Sequence, residues 1–488
     1  MARIRQERMS SVDLAWLRMD RPNNLMMICG VLILAEPVRA TRVRRTLRHR
    51  FLSFPRFNQR PVQRTDGAVW EGSRSCDLAY HLQTLRLPSP GGKEELQAAA
   101  STLMSTPLDP SRPLWQFHLV ERYEGGSAIV MRIHHCYADG IALIQVMLSM
   151  TDKQREPVAR RTSSQGRRHS TLAHDDSDEK PPGDSLFAAL AYAKAAGARL
   201  WQKAAGLWDQ PAQMVELAEQ GAALTAEVAK LALMGQDTPT RFKGVPGIQK
   251  RVAWAEPLSL SEVKIIGRAL GCSVNDVLLS SVAGALRGYL EARGDTVDGV
   301  VMRALVPVNM RPPEVDHRLG NRFGLVFLDL PIGIANPIER LYAVRANMQA
   351  LKGSYQPMLA FGLIAAMGAG PKVLQDQMLT LLSRNATAVM TNVPGPQQAL
   401  YFAGSELTSL LFWVPQSGDI GVGVSILSYN GRVQFGLVTD RGLCPDPERV
   451  ISRFGAEFEQ LVLATLLAPW PWAQPPSAQQ IEEAAFPG

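Results

Sequence analysis

Cysteine is scarce and scattered. Cys29, Cys76, Cys136, Cys272 and Cys444 are all there are in 488 residues, and no Cys-x-x-Cys occurs. An odd, dispersed set excludes a disulfide framework and argues against a structural zinc site; it fits reduced thiols in a cytosolic chain. There is no run of about 18 apolar residues, so no membrane-crossing helix is expected. The first residues, MARIRQERMSSVDLAWL, are charged and lack an apolar core, so no signal peptide is expected. Aromatics make up 7% and do not interleave with Lys/Arg as a stacking platform. No nucleic-acid motif is seen, and nucleic acid is not an expected partner. Histidine is also rare, at eight residues, which makes any clustering of it worth a physical account.

What is present bounds the class. Hydrophobic residues are 46% and charged residues 20%, which suits a globular protein. The length exceeds one ordinary core, so two or three domains are expected. A net charge of +7 and a pI near 9.2 favour anionic partners: a membrane surface, a phosphate-bearing cofactor or nucleic acid. Charge alone does not choose among them.

Composition breaks between Thr151 and Ser185. A basic block, Arg155 to Arg168, is followed by an acidic one, Asp175 to Glu179, without hydrophobic periodicity. The spacing predicts a mobile, disordered linker over 152–185. It separates residues 1–151 from 186–475, with a tail at 476–488. Ala-rich helices are expected from Leu186 to Leu233. In the first half, SSVDLAWLRM reads as a capped helix start and MMICGVLILA as a buried strand. ATRVRRTLRHRFL reads as a helix with Val43, Leu47 and Phe51 on one face. LWQFHLVERY and SAIVMRIHH read as neighbouring strands across Gly125-Gly126, and GIALIQVMLSM as an apolar helix. In the second half, VNDVLLSSVAGALRGYLEARG and DPERVISRFGAEFEQLVLATL read as helices. VVMRALVPVNMR, ATAVMTNVPGP, IGVGVSILSYNG and RVQFGLVTDR read as strands. Strands and helices alternate in both halves, which predicts an α/β (α+β) protein of two layered domains.

The stretch RIHHCYADG, Arg132 to Gly140, places two of the eight histidines side by side. On a strand, side chains alternate, so His135 follows Ile129, Met131 and Ile133 on the apolar face. His134 shares the other face with Val130 and Arg132. Burial disfavours a charged imidazole, and a neutral, positioned imidazole is the usual general base. Asp139 and Gly140 open the following helix. Asp139 can cap it, or aim the loop by pairing with an arginine; Arg311 is the expected partner, and Arg322 or Arg384 would serve as well. Two imidazoles pointing opposite ways cannot easily share a metal ion, so no metal is expected. Cys136 as a thiol nucleophile would face away from His135. The plain alternative is two structural histidines ending a strand.

HHCYADG matches the His-His-x-x-x-Asp-Gly signature of chloramphenicol acetyltransferase-like, CoA- and carrier-dependent acyltransferases, condensation domains among them. PLW (Pro113 to Trp115), NDVLL from Asn275, GNRFG from Gly320 and TNVPGP from Thr391 occur in the same chain, with SSVDLAWL near the start. Together they resemble bacterial wax ester synthase/diacylglycerol acyltransferases from about Ser10 to Leu467. The resemblance implies two chloramphenicol acetyltransferase-like domains, each a mixed sheet with packed helices, meeting at a channel past the second histidine. It implies acyl-CoA as a substrate, with no cofactor, and a fatty alcohol or diacylglycerol as acceptor. His135 would be the general base of a direct transfer, with His134, Asp139 (structural support) and Gly140 completing the motif. A peripheral membrane or lipid-droplet location on the cytoplasmic side is implied too.

The other motifs admit plainer readings. Asn275 and Asp276 sit where capping residues sit; the resemblance implies instead that both bind substrate, with Asn275 lining the channel near the acyl carbonyl. Trp115 packs, or shapes an apolar channel wall. Asn321 and the NVPGP loop lie on backbone able to approach a substrate closely. Thr391 and Asn392 are the candidates for stabilising an oxyanion. The helices of 186–233, with Trp201 and Trp208, offer an amphipathic lipid-binding surface or pack on the second domain. Two other functions compete: an acyltransferase of the same superfamily that forms amides or acylates a polar acceptor, and a non-catalytic lipid-droplet-binding protein.

Overall fold

The computed structural model describes residues 6–64, 67–72, 76–155, 234–310, 319–352, 354–369, 372–416 and 418–467. The linker expected over 152–185 lies outside the described residues beyond Arg155, as do the helices of 186–233 and the tail.

Two mixed seven-stranded sheets dominate. The first runs β5 (Leu82–Thr84), β6 (Trp115–Tyr123), β7 (Gly126–His134), β2 (Met27–Leu34), β15 (Ser405–Trp413), β14 (Tyr401–Phe402), β8 (Thr151–Asp152). The second runs β10 (Leu258–Ser259), β17 (Arg432–Asp440), β16 (Val422–Tyr429), β13 (Ala388–Pro394), β11 (Met302–Asn309), β12 (Phe323–Leu330), with β9 (Lys250–Trp254) also pairing β17. A small sheet of β1 (Gln6–Arg8), β4 (Gly67–Gly72) and β3 (Gln59–Arg64) flanks the first. The α/β class and two-domain organisation are as the sequence predicts. The linker does not separate the sheets cleanly, however. β14 and β15 come from the second half, and β15 pairs antiparallel with β2, Leu411 opposite Val31. LTSLLFW is apolar enough to complete an interior strand, and donating it ties the halves by main-chain hydrogen bonds.

Helices α1 (Ser11–Met19), α2 (Ala40–Thr46), α3 (Leu78–His81), α4 (Lys93–Met104) and α5 (Gly140–Ser149) belong to the first half. The second holds α6 (Leu260–Ala269), α7 (Val274–Ala292), α8 (Pro337–Leu351), α9 (Gln356–Ala369), α10 (Lys372–Arg384) and α11 (Glu448–Leu467). α1 starts at Ser10, whose hydroxyl accepts from Asp13 N at 3.1 Å, the usual side-chain cap. Val12, Ala15, Trp16 and Met19 recur every three or four residues and are buried. α9 packs on α1 closely enough that a Cβ at Gly368 would overlap the Ser11 carbonyl. A Cβ at Gly324 would meet the Pro357 carbonyl in the same way.

One core joins α1, the inner face of β7 and α5 to Phe323, Phe361, Phe402 and Phe412 of the second half. A second fills the second half alone. A third, with Val31, Val130, Trp254, Trp413 and Val438, seals the sheets together. All five cysteines are free thiols.

Candidate active site

β7 reaches His134 and then turns. His135 N donates to the Met26 carbonyl at 2.7 Å and Tyr137 N to the His134 carbonyl at 3.1 Å. The alternation holds to the end of the strand: Ile129, Met131 and Ile133 enter the core that contains Trp16, and Val130 enters the core on the other face. His135 continues the first set. Its ring stacks on Trp16 at 4.1 Å between centroids, 19° from parallel, and tilts against Phe323 at 5.6 Å. Burial pushes the His135 imidazole down to about 3, His134 adds to the shift, and contacts with its own backbone and Asn321 oppose it only in part. Burial thus favours the neutral ring over the charged one.

His134 is as buried as His135, at 3% exposure each, so burial does not distinguish the pair; surroundings do. His134 Nδ1 accepts from Cys136 N at 3.2 Å, and Nε2 lies 3.8 Å from Asp20 Oδ1. Asp20 in turn accepts from Met26 N at 2.6 Å. His134 thus buckles the turn. Its expected companion, Arg132, reaches the other way, to the carbonyls of Leu103 and Thr106 and to Gln116. Cys136 is fully buried, and burial pushes its thiol well up, which removes it as a nucleophile.

Asp139 is the N-cap of α5, its Oδ1 accepting from Ala142 N at 2.9 Å. Its Oδ2 accepts from the backbone N of Arg322 at 2.9 Å, and its own N donates to the Gly320 carbonyl at 3.4 Å. Arg322 therefore meets Asp139 through its main chain. Arg311 lies outside the described residues, and Arg384 ends α10 at the surface. Asn321 extends the same clasp. Its Nδ2 donates to the His135 carbonyl and to Asp13 Oδ1, both at 2.8 Å. Gly320 to Arg322, from the second half, thus grip the histidine loop and α1 together. Asp13 is buried, and desolvation raises its carboxyl pKa against the bonds from Asn321 and Ser10.

A cavity opens beside His135, with about 880 Å3 of space between its walls, the solvent at its open ends included. One wall is Trp16, His135, Asp139, Gly140 and Ile141. The other is β11 from Leu305 to Pro307 with Asn309, Phe323, Leu325, and β13 from Thr391 to Val393, closed by Phe412 and Val414. Most of it is apolar. The first N–H groups of α5, at Gly140 and Ile141, have no acceptor inside the helix, so the positive end of its dipole lies on the cavity wall.

The predicted residues divide on this geometry. His135, Asp139, Gly140, Thr391 and Asn392 are brought together on the cavity. Asn275 stands behind it, its Oδ1 accepting from Asn392 Nδ2; it is not on the cavity wall, and the cap of α7 is Ser273 rather than Asn275. Asp276 and Asn321 do not reach the wall. Asp276 forms a capping box, its Oδ2 accepting from Ser273 N at 2.8 Å. Trp115 is corrected to a packing role: it is fully buried, donates Nε1 to the Phe57 carbonyl at 2.9 Å and stacks on His81 at 4.0 Å. A bulky indole on the inward face of an interior strand fills the core before it can reach the cavity. Thr391 Oγ1 lies 3.4 Å from the Val424 carbonyl, so its hydroxyl is partly engaged. Trp16, Asp13 and Phe323 were not singled out from the sequence. A charged residue inside the apolar face of α1 was the available signal for Asp13. Among the described residues no group of His, Cys, Asp and Glu could hold a metal ion.

Residues 9–278 match the wax ester synthase/diacylglycerol acyltransferase catalytic domain, and residues 319–462 match the C-terminal domain of the same family. A putative diacylglycerol O-acyltransferase of Mycobacterium tuberculosis is 26% identical over 93% of this chain and 90% of its own. One of Mycobacterium bovis is 28% identical over the same shares. Among solved structures, the wax ester synthase/diacylglycerol acyltransferase from Marinobacter aquaeolei VT8 is similar in fold, with a TM-score of 0.65 at 21% identity, covering 94% of this chain and all of that one. The first condensation domain of the calcium-dependent antibiotic synthetase is similar at a TM-score of 0.54 and 14% identity, covering 94% and 97%.

Proposed function

The chain belongs to the wax ester synthase/diacylglycerol acyltransferase family and is an O-acyltransferase. On that premise we propose that it moves a long-chain acyl group from acyl-CoA directly to the hydroxyl of a fatty alcohol or a diacylglycerol. The supporting observation is His135, neutral and buried in an apolar cavity between the two halves.

His135 takes the hydroxyl proton as the oxygen attacks the thioester carbonyl. The tetrahedral oxyanion forms near the positive end of α5, where Gly140 and Ile141 offer N–H groups in a low-dielectric setting. The C–S bond then breaks, and the imidazolium returns its proton to the CoA thiolate. The products are one ester and one free CoA. No acyl-enzyme is needed, and the raised thiol of Cys136 supports that reading. Acyl-CoA is a substrate and no cofactor is consumed. Positioning both substrates while excluding water supplies much of the rate.

The apolar walls favour long-chain acceptors over polar alcohols or amines. Such acceptors live in lipid, so the protein works peripherally, at the cytoplasmic face of a membrane or on lipid droplets. Purified protein with palmitoyl-CoA should release thiol with hexadecanol or diacylglycerol and not with short polar alcohols. Release with the polar acceptors alone would replace this reading with the polar-acceptor one. No release with any acceptor would favour a non-catalytic lipid-binding protein.

A further inference from the structure

The stretch from Arg39 to Arg50 holds six arginines and one histidine, with no lysine and no acidic residue. α2 and the π-helical turn Leu47–Phe51 fold it as one amphipathic rod. Val43, Leu47 and Phe51 are fully buried in the first core. That leaves Arg39, Arg42, Arg45, Arg48 and His49 exposed. Nearby, Arg50 pairs with Asp152 at 2.7 Å and Arg155 pairs with Glu36. Among the described residues, Arg39, Arg42, Arg45 and Arg48 enter no ion pair.

A solvated face ordinarily mixes both signs; one sign alone repels itself and attracts an opposite surface. Arginine adds chemistry that lysine lacks, because its planar fork binds phosphate oxygens two at a time. Position matters as well. Arg50 Nη1 donates to the Thr151 carbonyl at 3.0 Å, just past the end of α5. α5 has ten residues, about 15 Å, and its other end lies on the cavity. No single described helix is long and apolar enough to cross a bilayer, so an attachment to lipid needs a surface.

We propose that this arginine face docks the protein on an anionic phospholipid surface and brings the cavity to the layer that dissolves its acceptor. The inference rests on the reading of a lipid-dissolved acceptor and names the surface that meets the lipid. The chain's own segment is the weaker occupant, since residues 157–185 carry as many Lys and Arg as Asp and Glu and offer no net charge.

The test uses the full chain with vesicles of phosphatidylcholine alone or of equal parts phosphatidylcholine and phosphatidylglycerol, read by co-sedimentation at low and high salt. Wild type should bind the anionic vesicles selectively and release them in salt. Each basic residue is worth about fivefold in partitioning at such a surface. The triple variant Arg42→Gln, Arg45→Gln, Arg48→Gln should therefore bind about 100-fold more weakly, and a triple lysine variant should retain most binding. Transfer by the Gln variant in neutral detergent micelles should stay within about twofold of wild type, so loss of vesicle binding is separable from failure of the catalytic reading. Equal binding to both vesicle types, or unchanged binding by the Gln variant, would overturn the proposal. So would displacement by millimolar inorganic phosphate or CoA, which would make the face a soluble-anion site. Binding that appears only after Asp175, Asp176, Asp178 and Glu179 are neutralised would mean the face is covered by the chain itself, and would overturn it too.

Discussion

Replacing Asn321 by alanine deletes one amide that donates twice, to Asp13 Oδ1 and to the His135 carbonyl, each at 2.8 Å. The first bond goes to a buried carboxyl group and is worth about 1.5–3 kcal/mol if that group is ionised; the second is worth about 0.5–1.5 kcal/mol. Asp13 keeps the longer bond from Asn321 N at 3.3 Å. A loss of about 2–4 kcal/mol in stability is expected. The histidine loop also loses its tie to the second half, and a misplacement of about 1 Å at a reacting group costs on the order of 100-fold in rate. Asn321→Asp sharpens the test. It sets a second carboxylate against Asp13, and two such groups cannot both ionise cheaply. That variant should be more impaired at pH 8 than at pH 6, whereas Asn321→Ala should show no such difference. Thiol release gives kcat and KM, and thermal unfolding gives stability. An Asn321→Ala protein that melts lower but keeps kcat within about twofold would confine the clasp to stability and refute its role in aiming His135.

Asp139→Ala should lose the α5 cap and the bond from Arg322 N, together about 2–4 kcal/mol, with activity falling alongside. A stable Asp139→Ala protein without turnover would instead give the carboxylate a direct chemical role. Because burial holds His135 at about 3, kcat/KM should stay level from pH 8 down to about 5.5; an acid limb near 6.5 would mean a solvated imidazole. Stability should respond differently. His135 at about 3 and His118 at about 4 lie below the ordinary 6.5, so below about 6.5 the unfolded chain binds more protons. Each group then costs up to about 1.4 kcal/mol per pH unit as pH falls toward 4. His118→Gln should reduce that slope by about one proton, as read from unfolding at pH 7 and pH 5. Trp115→Phe should cost about 1–3 kcal/mol through the lost bond to the Phe57 carbonyl without changing acyl or acceptor preference. A changed preference would return Trp115 to the channel wall.

The inward facing of His135 was legible because strand alternation is a local rule, and β7 obeys it up to its last residue. The cap at Asp139 was legible for the same reason, since an Asp-Gly before an apolar run states its own geometry. What the sequence did not disclose is what crosses between the halves. β15 completes the first sheet from 271 residues past the end of β7, a pairing that no local pattern encodes. Asn321 acts on His135 through a main-chain carbonyl, so its amide carried no signature distinguishing it from a substrate-binding residue. Trp115 and Trp16 look alike as isolated indoles. Only the register of β6 and the seat of α1 send one into the core and the other onto the imidazole. Asp276 read as a cap and is one, and its assignment to the substrate came from the resemblance alone.

The central claim is that His135 carries the proton of a direct transfer between two bound substrates. The decisive measurement is CoA released and ester formed, with palmitoyl-CoA and hexadecanol, by wild type and by His135→Gln of matched melting temperature. One CoA per ester is expected in wild type, with no stoichiometric burst of CoA without acceptor and a loss of about 10² to 10⁴ in rate for the variant. A His135→Gln protein that transfers at the wild-type rate, or a wild-type burst that leaves the acyl group on the protein, would contradict it.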